Sequence, residues 1–287
     1  MSKRILLQLD CDHLPSSFDS VVAVDAGVDH LLTYGDVQTT TVTGLIHGAM
    51  FTRGGNNLKN TAVFIGGSDV GNAEDVMNAA VAAFFGNIRV SLMLDANGCN
   101  TTASAAVVAA GRHVDLSGAR AVVLGGTGPV GRRVARLLAG DGAAVTLTSR
   151  SIERAEKACA EIQAQLPEAQ FAGAAPSTPA EIGATLDGAQ IVIACGAAGY
   201  ELVNEATIRA VSSLKVAIDL NAVPPAGIGG VGVTDQAAAL GDAVVYGAIG
   251  VGGLKMKTHK AAIQSLFESN DKVLDAAEIY AIAKEIG

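Results

Sequence analysis

One turn constrains this chain more than any other feature. Residues 121–124 read as a short buried strand, and they run into Gly126-Thr127-Gly128-Pro129-Val130-Gly131. A helix then opens over 130–139, with apolar positions at Val130, Val134, Leu137 and Leu138. A strand feeding a helix through such a turn is the unit from which parallel α/β sheets are built. In that setting each glycine has its own mechanical reason. The first permits the tight turn, the second lets the backbone approach a pyrophosphate, and the third allows close helix–strand packing. The phosphates then meet free backbone N–H groups at the positive end of the helix. With 34 glycines in the chain, against a usual share of about 7%, a turn needed only for packing is the competing reading. The flanking strand and helix favour a dinucleotide site, with Gly126, Thr127, Gly128, Pro129 and Val130 as its phosphate-binding residues.

The group that reads the ribose is expected about 20 residues further on, where an NAD site carries Asp or Glu. Here the strand at 145–148 runs into Ser149-Arg150-Ser151, followed by Arg154. A guanidinium beside hydroxyls suits a 2′-phosphate, through charge-assisted bonds where a carboxylate would repel. NADP is therefore expected over NAD, the alternative being that Arg150 is only a solvated residue at a helix start. Two further strand ends extend the site. Cys195-Gly196-Ala197-Ala198-Gly199 has side chains small enough, at Ala197 above all, for a nicotinamide ribose to approach. Asn221-Ala222-Val223-Pro224-Pro225 is stiffened by its proline pair and places Asn221 to bond a carboxamide or ribose. Residues 247–253 read as a third loop of small residues, ending at a helix start around Lys255.

The rest of the chain repeats this grammar. Strand-like runs at 5–9, 30–33, 62–65 and 90–94 alternate with helical patterns at 18–26, 42–51 and 73–85, which predicts a parallel βαβ arrangement. Ser16 and Asp19 have capping-box spacing before the first helix. A crossing between domains is expected near 101–116. Further strands are expected at 191–194, 216–219 and 243–246, and helices at 151–166 and 205–211. The C-terminal region reads as two helices, 254–267 and 275–286, with no strand after them, returning to pack on the first domain.

Composition removes several function classes. Hydrophobic residues make up 49% of the 287 and charged residues 17%, which excludes an intrinsically disordered chain. No stretch approaches the ~20 apolar residues of a membrane span, and the apolar run that ends at Asp10 is too short for a signal peptide. A net charge of −8, no tryptophan and 4% aromatic residues argue against a nucleic-acid partner. Cys11, Cys99, Cys159 and Cys195 show no CxxC spacing, so neither zinc nor a disulfide framework is expected. Cys11-x-His13 and His259 have no companions at ligand spacing, and no metal is expected. A soluble, cytoplasmic protein is the expectation. Tyr280 and Lys284 match a Tyr-x-x-x-Lys spacing, but they sit in a terminal amphipathic helix far beyond the glycine motif and read as surface and core positions.

Six segments, taken in order, carry a family resemblance. They are Ser16-Ser17-Phe18-Asp19, Phe51-Thr52-Arg53-Gly54-Gly55, Leu94-Asp95-Ala96-Asn97-Gly98-Cys99-Asn100-Thr101-Thr102, the glycine turn at 126–131, Asn221-Ala222-Val223-Pro224-Pro225 and Gly250-Val251-Gly252-Gly253-Leu254-Lys255. Over essentially its full length the chain resembles the NADP-dependent methylene-tetrahydromethanopterin dehydrogenases of bacterial one-carbon metabolism, relatives of the bifunctional methylene-tetrahydrofolate dehydrogenases. The resemblance implies an α/β protein of two lobes with the active-site cleft between them. One lobe is a Rossmann-type doubly wound parallel sheet for NADP (104–254). The other is an open α/β domain for the pterin (1–103), joined by the returning helices (255–287). It also implies closure by domain rotation and a homo-oligomer, a trimer or hexamer.

Lys255 matches the family's pterin-side lysine, and Phe18, Asp19, Asp95, Asn97 and Thr102 are further substrate-side candidates. The implied chemistry needs no acid or base. The methylene carbon bridges two nitrogens whose lone pairs expel a hydride to the nicotinamide, leaving an amidinium-like methenyl cation. Rate then depends on positioning and exclusion of water. Asp95 or Asp19 would bond the pterin's amino edge or stabilise the positive charge, the plainer alternative being that both cap loops. A cationic Lys255 would not stabilise a cationic product and is expected to make polar contacts with the pterin. Tyr34 is followed four residues later by Gln38, not lysine, so the cyclohydrolase activity of the bifunctional folate enzymes is not expected. Two competing readings are an NADP-dependent shikimate-type dehydrogenase and a non-catalytic NADP-binding sensor.

Overall fold

A computed structural model describes residues 2–287 of the chain. In chain order its main elements are β1 (Ile5–Asp10), α1 (Ser17–Asp25), β2 (His30–Tyr34), α2 (Thr39–Phe51), β3 (Thr61–Gly66), α3 (Val70–Ala82), β4 (Ser91–Leu94) and α4 (Cys99–Gly111). There follow β5 (Arg120–Leu124), α5 (Pro129–Gly140), β6 (Ala144–Thr148), α6 (Ile152–Gln163), β7 (Phe171–Ala174), α7 (Pro179–Leu186) and β8 (Ile191–Ala194). The chain finishes with α8 (Glu205–Arg209), β9 (Val216–Asp219), β10 (Gln236–Leu240), β11 (Ala243–Tyr246), α9 (Ala248–Ser265), β12 (Val273–Leu274) and α10 (Ala276–Ile286). Two compact units result: Met1–Thr101 with Met256–Ile286, and Thr102–Lys255 with the terminal Gly287. The chain passes from one to the other inside α4 and returns inside α9.

The first unit is a five-stranded sheet in the order β12-β4-β3-β1-β2, with every pair parallel. β3 and β4 are buried at every residue, as strands covered by helices on both faces must be. Register places Leu6 beside Ala62, and Phe64 and Leu274 beside Met93. That row packs on Val22 and Ala23 of α1, on Ala262 and Ile263 of α9, and on Ile279 of α10. α1 begins at Ser17 because the Ser16 hydroxyl accepts the Asp19 N–H at 3.2 Å. α3 begins three residues before the expected position because Asp69 caps it, accepting from the Asn72 N–H.

The second unit is a seven-stranded sheet in the order β10-β11-β9-β8-β5-β6-β7, parallel except for β10. β5 starts at the centre. The chain builds outward through β6 and β7, then returns to the other side of β5 with β8. Strand order thus reverses between β5 and β8, where a crevice opens at the carboxyl ends.

Two sequence expectations require correction. The C-terminal region is not helical throughout: Val273 and Leu274 form β12 against β4. That pairing comes from a strand some 180 residues earlier in the chain, and two residues carry no period of their own. Residues 247–253 are not a loop, since α9 is already helical from Ala248. There Gly247 and Gly250 allow backbone contacts that a Cβ would obstruct, at 2.1 Å from the Gly232 oxygen and 1.7 Å from the Asp235 oxygen. The crossing expected near 101–116 falls where the units divide, at Thr101 and Thr102, inside a helix, α4, whose run of alanines is buried on nearly all sides and so lacks an amphipathic period. β7, α7 and the antiparallel β10 are additional to the expected elements.

Candidate functional site

The glycine turn lies at the carboxyl end of β5, and its backbone is tied to the neighbouring strand. Gly125 N–H donates to Thr148 Oγ1 at 3.1 Å and Gly126 N–H to the Thr148 carbonyl at 2.9 Å. The glycines separate by what surrounds them. A Cβ on Gly131 would lie 2.6 Å from Gly126 Cα, and one on Gly126 would lie 2.9 Å from the Val123 oxygen, whereas one on Gly128 would meet nothing within 4 Å. Two positions are therefore filled by protein, and the third is open to a ligand. Gly128 is the N-cap of α5 and Pro129 its first residue, where the missing N–H removes no helix bond. Thr127 and Val130 flank them in the turn. The open space at Gly128 and the start of α5 suit a pyrophosphate, since the first-turn N–H groups of a helix have no partners within it.

The motif alone did not reveal Gly125. It sits at φ 64°, and a Cβ there would lie 2.6 Å from Gly196 Cα. The loops after β5 and β8 therefore touch backbone to backbone across the crevice. The repeated glycine in Leu124-Gly125-Gly126 was the available signal. Ala197 and Ala198 are exposed in the loop after β8. Burial and the adjacent Asp219 push the Cys195 thiol up.

At the end of β6, Ser149 N–H donates to the Ala174 carbonyl, and Arg150 and Arg154 are exposed. Ser151 requires a correction. Its hydroxyl is the N-cap of α6, accepting the Arg154 N–H at 3.3 Å and donating to Glu153 Oε2, so it shapes the turn instead of offering a free hydroxyl. Asn221 requires another. Its side-chain N–H donates to the Pro225 carbonyl and its oxygen accepts the Val223 N–H, both at 3.0 Å, so the amide closes its own loop. That loop hangs from Asp219, the first residue of the segment, for which the sequence alone suggested no role. The buried carboxylate accepts from the backbone N–H groups of Asn221 and Ile228, and burial raises its pKa against the lowering effect of those bonds. Asp219, residues 221–224, Ala226, residues 231–233 and Gly247 line a cavity of about 210 Å³ at the ends of β9 and β11.

In the first unit strand order reverses between β1 and β3, and polar loops meet at their carboxyl ends. Asp10 accepts the Asp12 and Ser16 N–H groups, while Asp12 accepts the Ser68 N–H and hydroxyl. Phe18 and Asp19 follow in the first turn of α1, with Phe18 51% exposed. At the end of β4, Asn97 is exposed at φ 50° and Thr102 is half-buried in α4. Lys255 is half-buried on α9. Asp95 differs from the expectation. It is fully buried, and its carboxylate accepts the N–H groups of Asn100 and Thr101 at 2.9 and 3.0 Å and the Thr101 hydroxyl at 2.6 Å. It caps the start of α4, the plainer of the two readings of this carboxylate, from a position closed to solvent.

His13 pairs with Asp36 at 2.6 Å on the surface, and this partner raises its pKa. Lys284 lies 4.5 Å from the centre of the Tyr280 ring on α10. Cys11, partly exposed beside Gly67, has its thiol raised from 9.0 to about 11 by burial and by Asp10, Asp12 and Asp69. Its thiolate is scarce at neutral pH, although each thiolate is a better nucleophile. Alkylation of Cys11 by iodoacetamide at pH 8 is expected to run roughly tenfold slower than that of an ordinary thiol and to accelerate steadily toward pH 11. Peptide mapping by mass spectrometry measures this, and a rate equal to a free thiol's would contradict the assignment.

Residues 17–97 match the family described as methylene-tetrahydromethanopterin dehydrogenase, N-terminal, and residues 113–227 a family described as putative NAD(P)-binding. The chain is 44% identical over 290 residues to the bifunctional protein MdtA of Methylorubrum extorquens, covering 100% of both chains. It is 31% identical over 297 residues to the NAD(P)-dependent methylenetetrahydromethanopterin dehydrogenase of the same organism, covering 100% of this chain and 99% of that one. Among solved structures, quinate dehydrogenase from Corynebacterium glutamicum aligns over 98% of each chain with a TM-score of 0.54 at 13% identity, which is a likeness of fold.

Proposed function

Because the chain belongs to the methylene-tetrahydromethanopterin dehydrogenase family, we propose that it catalyses the reversible NADP-dependent oxidation of methylene-tetrahydromethanopterin to the methenyl form, with methylene-tetrahydrofolate as a second substrate. The observation that carries this reading is full-length kinship combined with a phosphate turn whose one open glycine position is Gly128. We assign 104–254 to the nucleotide, and 1–103 with 255–287 to the pterin. When bound, NADP supplies a nicotinamide carbon as hydride acceptor.

The residues of this chain bind and orient. Gly126–Val130 and the start of α5 hold the pyrophosphate, Arg150 with Ser149 and Arg154 the 2′-phosphate, and the Ala197 loop approaches the nicotinamide ribose. Phe18 offers an exposed ring for the pterin to stack on, with Asp19, Asn97, Thr102 and Lys255 as polar contacts. No proton moves in the step, so the buried, capping Asp95 and the raised thiols leave nothing missing from the chemistry. A shikimate-type reaction, in contrast, needs a lysine–aspartate pair to take a hydroxyl proton. Four free cysteines fit a reducing cytoplasm, and no helix among the described residues is long and apolar enough to cross a membrane. We take the working form to be a homo-oligomer.

The test is NADP reduction, followed by absorbance, with each methylene pterin in parallel. Cofactor binding without reduction by either would favour a sensor and overturn the proposal. Arg150→Ala is expected to weaken NADP roughly ten- to hundredfold, the worth of one or two charge-assisted bonds, and to leave NAD almost unchanged. Equal loss for both nucleotides would remove Arg150 from the 2′-phosphate.

A further inference from the structure

His259 is the residue that neither the glycine motif nor the proposed chemistry uses, yet its side chain is completely buried. It lies on α9 one helical turn after Lys255. Its ring stacks on Phe64 of β3 with centroids 5.5 Å apart and an interplanar angle of 23°. On another side it meets the ring of Phe18 at 6.4 Å and 41°. Its Nδ1 lies 3.9 Å from Asp95 Oδ2, too far for a hydrogen bond but close enough for the carboxylate to act on the imidazole through a dry interior. Three rings thus run in series from a fully buried Phe64, through His259, to a Phe18 that is half exposed at the carboxyl edge of the sheet.

An exposed phenyl ring on the first turn of a helix has several rotamers open to it. A ring packed behind it removes that freedom, and aromatic pairs at these separations contribute about 0.5–1.5 kcal/mol beyond their buried area. We propose that His259 is a positioning residue for the pterin. It holds Phe18 in the orientation onto which the bicyclic substrate stacks, and Asp95 and Phe64 hold His259. This rests on the pterin reading above. Asp95 then acts at one remove from the substrate, through the imidazole and the phenyl ring.

The test is a double-mutant cycle on His259 and Phe18. Affinity for methenyl-tetrahydromethanopterin and for NADP is measured by calorimetry, and pterin KM and kcat by the reduction assay. His259→Ala is expected to weaken the pterin roughly two- to tenfold, the stacking contribution converted to affinity. It should leave NADP affinity unchanged and raise KM more than it lowers kcat. His259→Phe, which keeps a ring, should recover most of the loss. If His259→Ala does not fold, His259→Leu fills the volume without a ring and takes its place in the cycle. Phe18→Ala should weaken the pterin similarly, and the double variant should be little worse than the poorer single, because both remove one device. Multiplying effects, unchanged pterin affinity in the ring-less variants, or NADP affinity falling in step with the pterin would each overturn the proposal. A wild-type chain that fails to bind the pterin removes the function and this inference with it. One that binds while the variants match it removes the inference alone.

Discussion

Gly131→Ala is expected to abolish productive NADP binding, with affinity falling roughly a hundredfold or more, the equivalent of losing one to two charge-assisted phosphate bonds. The added methyl would lie 2.6 Å from Gly126 Cα and 2.8 Å from its carbonyl oxygen. Both are backbone atoms of the turn itself, so no side chain can swing away. Either α5 moves off the sheet or the turn opens, and in both cases the N–H groups aimed at the pyrophosphate are displaced. Overpacking of this kind also costs about 1–3 kcal/mol of stability. Gly128→Val is the informative partner. Its Cβ meets no protein atom within 4 Å, and the backbone sits at φ −76°, ψ 171°, a conformation open to any L residue. It should fold and melt like the parent chain while losing NADP to a comparable degree, because the space it fills is the ligand's. Calorimetric titration with NADP, beside thermal melts of both variants, decides the matter. A Gly128→Val protein that binds NADP normally would show that the pyrophosphate does not lie in this turn.

Asp95→Ala is expected to cost about 3–5 kcal/mol of stability, a large share of the 5–15 kcal/mol that holds a domain folded. The carboxylate accepts three hydrogen bonds at 2.6–3.0 Å in a site closed to water. Removing it leaves the N–H groups of Asn100 and Thr101 unpaired at the buried start of α4, at about 1–3 kcal/mol each. Asp95→Asn keeps one acceptor oxygen and should lose less than half as much. Urea unfolding gives the totals, and amide exchange at Asn100 and Thr101 should accelerate selectively in the alanine variant. A loss below about 1 kcal/mol would contradict the capping role. NADP affinity should change little in either variant, because the carboxylate holds the start of α4 at the end of the first unit's β4, and the nucleotide loops are built on the second unit's sheet.

What the sequence determined alone is whatever depends on near neighbours. The strand–glycine–helix turn at 126–131, the start of α1 at Ser16 and the alternation of apolar strands with amphipathic helices are written within a few residues, since hydrogen-bond capping and side-chain period act over that range. The kinship of the whole chain was legible for a related reason, as short motifs keep their order. The tertiary structure alone decided which polar side chains are already occupied. Asn221 and Ser151 carry the chemistry of ligand contacts, yet each is occupied by its own loop. Asp95 has the chemistry of an active-site carboxylate, but its partners at 100 and 101 are fixed by a helix whose evenly buried alanines show no period. β12 exists only because β4 offers it an edge, and His259 gains its neighbours only when α9 reaches the first sheet. A side chain's hydrogen-bonding capacity is fixed by its residue type, whereas whether its near neighbours satisfy that capacity depends on the turn the backbone takes around it, and that turn is set only when the fold packs the loop or helix in place.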